Sequence, residues 1–102
     1  MSLSVADLKA MAAPLALDLA RELAPGGNVS GRYYVTRSPL RADRKAGSFV
    51  VWIDGAAAGA WKDYAADEQG DLVDLVAEVK YGGKTREARG AAIGWLKSRL
   101  GV

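Results

Sequence analysis

Residues 61–76 read Trp61-Lys62-Asp63-Tyr64-Ala65-Ala66-Asp67-Glu68-Gln69-Gly70-Asp71-Leu72-Val73-Asp74-Leu75-Val76. The pattern changes character midway. Ala60 to Asp63 reads as a strand and Tyr64 to Gly70 as a polar turn. Asp71 then stands as an N-cap, since a carboxylate there can accept from the free amides of a helical first turn. Leu72, Val73, Leu75, Val76 and Val79 supply a short apolar helix, with Asp74 adding favourable negative charge at its start. Tyr81-Gly82-Gly83 ends it.

Working outward, Ser48 to Ile53 is the strongest strand, with Phe49, Val50, Val51, Trp52 and Ile53 in succession. Arg32 to Thr36 is a second β-rich run. Asp54-Gly55 opens an Ala- and Gly-rich connection to the third strand at Ala60. Towards the N-terminus, Ser4 with Asp7 forms a capping-box pattern. Val5, Leu8, Met11 or Ala12, Leu15, Leu19 and Leu23 follow as one helical stripe. Pro14 lacks an amide hydrogen and predicts a kink or a restart of the helix. Pro25-Gly26-Gly27-Asn28 turns the chain. Thr85 can cap a last helix carrying Ala88, Ala91, Ala92, Trp95, Leu96 and Leu100. The order predicts an α+β fold, a small three-stranded antiparallel sheet covered by N-terminal and C-terminal helices. It is read as a single domain over 1–102: helical cover over 1–24, core over 30–79, closing helix over 84–100.

The chain has 102 residues, half of them apolar and a quarter charged, which fits one folded domain. It has no Cys and no His. That excludes disulfides, Cys/His zinc sites and Ser-His or Cys-His catalytic pairs. No apolar run approaches the roughly 18 residues of a membrane span, and no signal-peptide pattern opens the chain, so the expected location is the cytoplasm.

Charge is arranged in blocks. Arg32, Arg37, Arg41, Arg44, Lys45 and Lys62 dominate residues 30–62, whereas Asp63, Asp67, Glu68, Asp71, Asp74 and Glu78 occupy 63–78 without a single base. Lys80, Lys84, Arg86, Arg89, Lys97 and Arg99 then make 79–102 basic again. The first basic block lies among Tyr33, Tyr34, Trp61 and Tyr64. That mixture suits single-stranded nucleic acid, with cations on phosphates and aromatic faces on bases. A solvated loop beside a sheet whose aromatics are core accounts for the same residues. Alternation requires one of Tyr33 and Tyr34 to face away from the core, and Trp52 to oppose Val51. Which aromatics are exposed decides between the readings.

Other chemistry is poorly supported. Asp67, Glu68, Asp71 and Asp74 are oxygen donors without EF-hand spacing. Asp63 and Asp67 lack any indicated pocket for acid–base work, and Ser38 lacks a base. Gly82-Gly83-Lys84-Thr85 ends like a phosphate-binding loop, but Val79 stands where that motif needs its first glycine. Neither a metal nor another cofactor is expected, and an independent enzyme is the weakest reading.

From Ser38 onward the spacing resembles the zinc-ribbon domain that opens bacterial and phage DNA primases. Ser38-Pro39-Leu40-Arg41 stands at that domain's first ligand pair and Gly47-Ser48-Phe49-Val50-Val51 at its following strand. Trp61-Lys62-Asp63-Tyr64-Ala65-Ala66 stands at the second pair, and Gly70-Asp71-Leu72-Val73-Asp74-Leu75-Val76 at the helix. The former metal positions are then Ser38, Arg41, Asp63 and Ala66, none a thiolate or imidazole. The string is similar to a metal-free branch found in phage, prophage and plasmid primase-helicases and other Toprim-associated proteins. The likeness spans roughly residues 19–101. It implies a zinc-ribbon-like, zinc-free fold and a non-catalytic domain binding single-stranded DNA as template in replication. Arg32, Arg37, Arg41, Arg44, Lys45 and Lys62 would contact phosphates, and Tyr34, Trp61 and Tyr64 would stack. A primase or helicase catalytic domain is the implied partner. The alternative is a protein-interaction module that docks on or inhibits a replication protein without nucleic acid.

A structural zinc commonly contributes ~10–16 kcal/mol of apparent binding energy. Its loss calls for buried area elsewhere, for which the N-terminal helices, Trp52, Trp61 and Trp95 are the candidates. Arg41 and Asp63 are expected to pair across the old metal position.

Overall fold

Five strands, not three, form the sheet. The computed structural model describes residues 3–39 and 48–102. Strands β1 (Asn28–Ser30), β2 (Tyr33–Thr36), β3 (Phe49–Trp52), β4 (Trp61–Asp63) and β5 (Glu68–Gly70) pair in sequence order, each antiparallel to the next. The three predicted strands are the central ones. The additional edge strands come from stretches read as turns. β1 is exposed along its whole length and β5 reads Glu-Gln-Gly, so neither carries the apolar alternation that marks a strand in sequence. Local turns hold them instead. Gly31, at φ 60°, sits in the two-residue connection between Ser30 and Tyr33. Asp67 takes φ 53° just before Glu68 pairs with Asp63.

The helices form where capping chemistry puts them. α1 (Val5–Ala12) starts at a capping box in which the Ser4 hydroxyl accepts from the Asp7 amide, and the Asp7 carboxylate from the Ser4 amide. Pro14 lies in a single 3-10 turn (Ala13–Leu15) that joins α1 to α2 (Ala16–Leu23). α3 (Leu72–Tyr81) starts at a second capping box, Asp71 with Asp74, and stops at Gly82 in the left-handed conformation (φ 77°). α4 (Arg86–Leu100) is capped by Thr85, whose hydroxyl accepts from Ala88 N–H. Fold class is thus α+β.

Register divides the sheet into two faces. Tyr34, Val51 and Trp61 align across β2, β3 and β4, as do Thr36, Phe49 and Asp63, and all six are buried. With Leu19, Leu23, Val73, Val76 and Leu96 from the helices, the apolar members make one core. Phe49 stacks on Trp61 with centroids 5.3 Å apart. Each such side chain contributes about 1.5–3 kcal/mol on burial. Of the three tryptophans expected to fill the core, Trp61 is fully buried, while Trp52 and Trp95 are half-buried. The N-terminal helices do carry weight, with Leu8, Ala12, Leu19 and Ala20 fully buried. Every buried polar side-chain atom among the described residues has a hydrogen-bond partner.

Candidate nucleic-acid interface

Because side chains alternate along a strand, the residues opposite the core row form a second surface. It comprises Asn28 and Ser30 from β1, Tyr33 and Val35 from β2, Val50 and Trp52 from β3, Lys62 from β4 and Gln69 from β5. All of these are half-buried or exposed. Lys62 is the one charged group among them, and no carboxylate shares these strand positions.

Aromatic rings stand at both ends of this surface. Tyr33 and Trp52 are directly paired and meet edge to face, centroids 5.5 Å apart and planes at 83°. Tyr64, whose amide donates to Ser48 at 2.8 Å, lies past the other end of β3 and is 57 % exposed. The Lys62 ammonium sits 5.1 Å from the Tyr64 ring centroid. Trp52 lies four positions along the chain from Ser48, so the two aromatic stations are roughly 13 Å apart along the strand. Exposed Arg32 occupies the β1–β2 turn and exposed Arg37 follows β2.

Beside Trp52 the surface dips into an open groove of about 430 Å³. Ala57 and Ala60 from the β3–β4 connection, Lys62, Gln69 and Gly70 complete its walls with Trp61. Behind it, Lys84 places its ammonium 4.9 Å from the Trp61 ring centroid and donates to the Gln69 carbonyl at 3.1 Å. The Lys84-Thr85 pair is therefore structural, one residue tying β5 to the loop before α4 and the other capping α4. A second groove, of about 320 Å³, runs between α1 and the same Ala-rich connection, with Ala6, Ala10, Ala13, Ala56 and Ala58 along it. It offers methyl groups around the Lys9–Asp71 ion pair (3.4 Å).

Two predicted stacking residues do not belong to the surface. Tyr34 and Trp61 are each 1 % exposed. The Tyr34 hydroxyl donates to Ala24 O at 2.6 Å and accepts from Gly27 N–H at 2.9 Å, while Trp61 Nε1 donates to Asp71 O at 2.9 Å. Neither ring has a face to give a base. Tyr33 and Trp52 are the β2 and β3 aromatics that the register puts on the outer face instead. Lys62 and Tyr64 do lie together on the outer face.

Of the positions that the primase resemblance would align with metal ligands, Ser38 and Asp63 are buried and Ala66 is exposed. Asp63 accepts from the amides of Ala65 (3.1 Å) and Ala66 (3.3 Å), closing the turn after β4 with its own carboxylate. Arg41, Arg44 and Lys45 lie outside the described residues, and so does the expected Arg41–Asp63 pair. Among the described residues no group of three or more acidic side chains is arranged to hold a metal ion. Asp71 and Asp74 are engaged instead with Lys9 and Arg89 at the junction of α1, α3 and α4. In the C-terminal basic helix, Arg89 is committed to that cluster and Arg99 to a surface pair with Glu22 at 3.2 Å, so two of its cations already have carboxylate partners within the fold.

Among the described residues no helix is long and apolar enough to cross a membrane. No protein-family model matches the chain, and neither a curated protein nor a solved structure is detectably similar to it.

Proposed function

We propose that this protein is a non-catalytic domain that holds single-stranded DNA on the outer face of its sheet. The observation that carries the reading is one-sidedness. The helices share a core with the inner face, while the outer face presents Tyr33, Trp52 and Tyr64 around Lys62 without an opposing carboxylate on its strand positions. Bases stack on the aromatic faces regardless of sequence, and the cations follow the backbone. Arg32, Arg37 and Lys62 serve the phosphates, together with Arg41, Arg44 and Lys45 of the neighbouring segment.

The primase resemblance supplies the biological setting: a zinc-ribbon-like domain without zinc, presenting template to a primase or helicase catalytic partner in the cytoplasm. Two features support it. β2 and β4 both run antiparallel to β3, so the turns that follow them, at Ser38 and at Asp63–Ala66, leave the sheet at the same end. Asp63 also closes its turn with its own carboxylate, which accepts from the Ala65 and Ala66 amides.

Fluorescence anisotropy of a labelled single-stranded oligonucleotide across a salt series tests the reading. Affinity should fall steeply from low to physiological salt. Replacing both Tyr33 and Trp52 by Ala should weaken it at least tenfold, since stacking contributes about 1–3 kcal/mol per base. Absence of binding at low salt would overturn the proposal and leave the same face as a protein-docking surface.

A further inference from the structure

The groove beside Trp52 has features that a general stacking platform does not need. One wall is an indole, Lys62 lines it from β4, and Gln69 lines the far side from the neighbouring edge strand. The Gln69 carboxamide is exposed and makes no hydrogen bond within the described structure, although its backbone carbonyl is held by Lys84. A free amide offers one donor and one acceptor side by side, a pattern that pairs with two adjacent positions on a base edge. Adenine is the base whose N6 amino group and N7 acceptor match a Gln amide in a bidentate pair.

Resting on the single-stranded DNA reading above, we infer that this groove takes one nucleobase, stacked against Trp52 and read by Gln69, and that it prefers adenine. Lys62 lines the groove from β4, where the phosphate of the inserted nucleotide would pass. Lys84 is a positioning residue. By anchoring the Gln69 backbone and covering Trp61, it fixes where the amide stands without touching the ligand. Ala57 and Ala60 keep the opposite wall low enough for a planar ring to enter.

The test compares labelled adenine, cytosine and thymine homo-oligomers of equal length on the intact chain at one low salt concentration. Adenine should bind roughly tenfold tighter than either pyrimidine, within the range of a good bidentate pair. Gln69→Ala should abolish the preference while leaving pyrimidine binding and the circular dichroism spectrum unchanged. Gln69→Glu should shift the ratio towards cytosine, because a carboxylate accepts from the cytosine N4 amino group. Equal affinity for all three homo-oligomers, or a preference that survives Gln69→Ala, overturns this inference alone, and the platform reading stands. Failure of every oligonucleotide to bind overturns both together.

Discussion

Gly70 and Asp74 are fitted against each other: a Cβ placed on Gly70 would lie 2.7 Å from Asp74 Oδ2 and 2.8 Å from its Cβ. Asp74 has no room to retreat. Oδ2 accepts from the Asp71 amide, its own amide donates to Asp71 Oδ1 at 2.9 Å, and Arg89 holds its other oxygen. The Gly-Asp-x-x-Asp string that opens α3 is therefore a packing and capping device. Gly70→Ala is expected to cost about 1–3 kcal/mol, the range for overpacking. Gly83→Ala meets nothing within 4 Å and should stay within about 0.5 kcal/mol of the parent. Urea unfolding of the two variants side by side checks the contrast, and equal midpoints would contradict it.

Two adjacent tyrosines should behave oppositely. Tyr34 is buried with its hydroxyl bonded on both sides, tying β2 to the end of α2 through Ala24 O and Gly27 N–H. Tyr34→Phe leaves those groups without their partner and should lower stability by about 1–3 kcal/mol. Tyr33 is 40 % exposed, and Tyr33→Phe keeps its ring against Trp52, so stability should change by less than about 0.5 kcal/mol. Thermal melts of both variants decide it; a neutral Tyr34→Phe would mean the hydroxyl pins nothing.

That pair also shows where sequence reading stops. Ser4, Asp71 and Thr85 are legible as caps because each acts on an amide three residues away. Pro14 is legible because its effect is local. Asn28–Ser30 and Glu68–Gly70 are strands only because β2 and β4 offer them a free edge, and no apolar alternation announces that. The parity of Tyr33 and Tyr34 depends on which of them aligns with Val51 across the sheet, a register that a lone strand does not encode. The same limit separates Lys62 and Tyr64, which reach solvent, from Tyr34 and Trp61, assigned to a stacking surface although they fill the core. Gln69 carries no signal at all in sequence, being one polar residue in a polar turn.

The N-terminal cap gives a pH prediction. The Asp7 carboxyl is held below its ordinary value of 3.8, first by the Ser4 backbone amide and then by the Ser4 side chain, with desolvation opposing weakly. A carboxyl whose folded-state pKa is depressed stabilises the fold above its unfolded value, and that contribution disappears as pH falls through the lower folded value. The Ser4 amide resonance should therefore titrate with a midpoint below 3.8, and Asp7→Asn should flatten the curve. A midpoint at or above that value would show the capping box to be absent in solution.

Gly90 and Gly94 lie inside α4, where their cost is conformational. Neither has a left-handed φ, and a Cβ at either position meets nothing within 4 Å. Glycine in an exposed helix interior is worse than alanine by roughly 0.5–1 kcal/mol, partly because the unfolded chain has more freedom to lose. Gly90→Ala and Gly94→Ala should each raise stability by that amount, adding in the double variant and moving the melting midpoint upward by several degrees. The double variant also separates fold from function. Both positions lie on α4, away from Trp52 and Lys62 on the outer sheet face, so oligonucleotide affinity should be unchanged while the melting point rises. A rise in stability accompanied by lost binding would place the ligand on α4 and against the sheet.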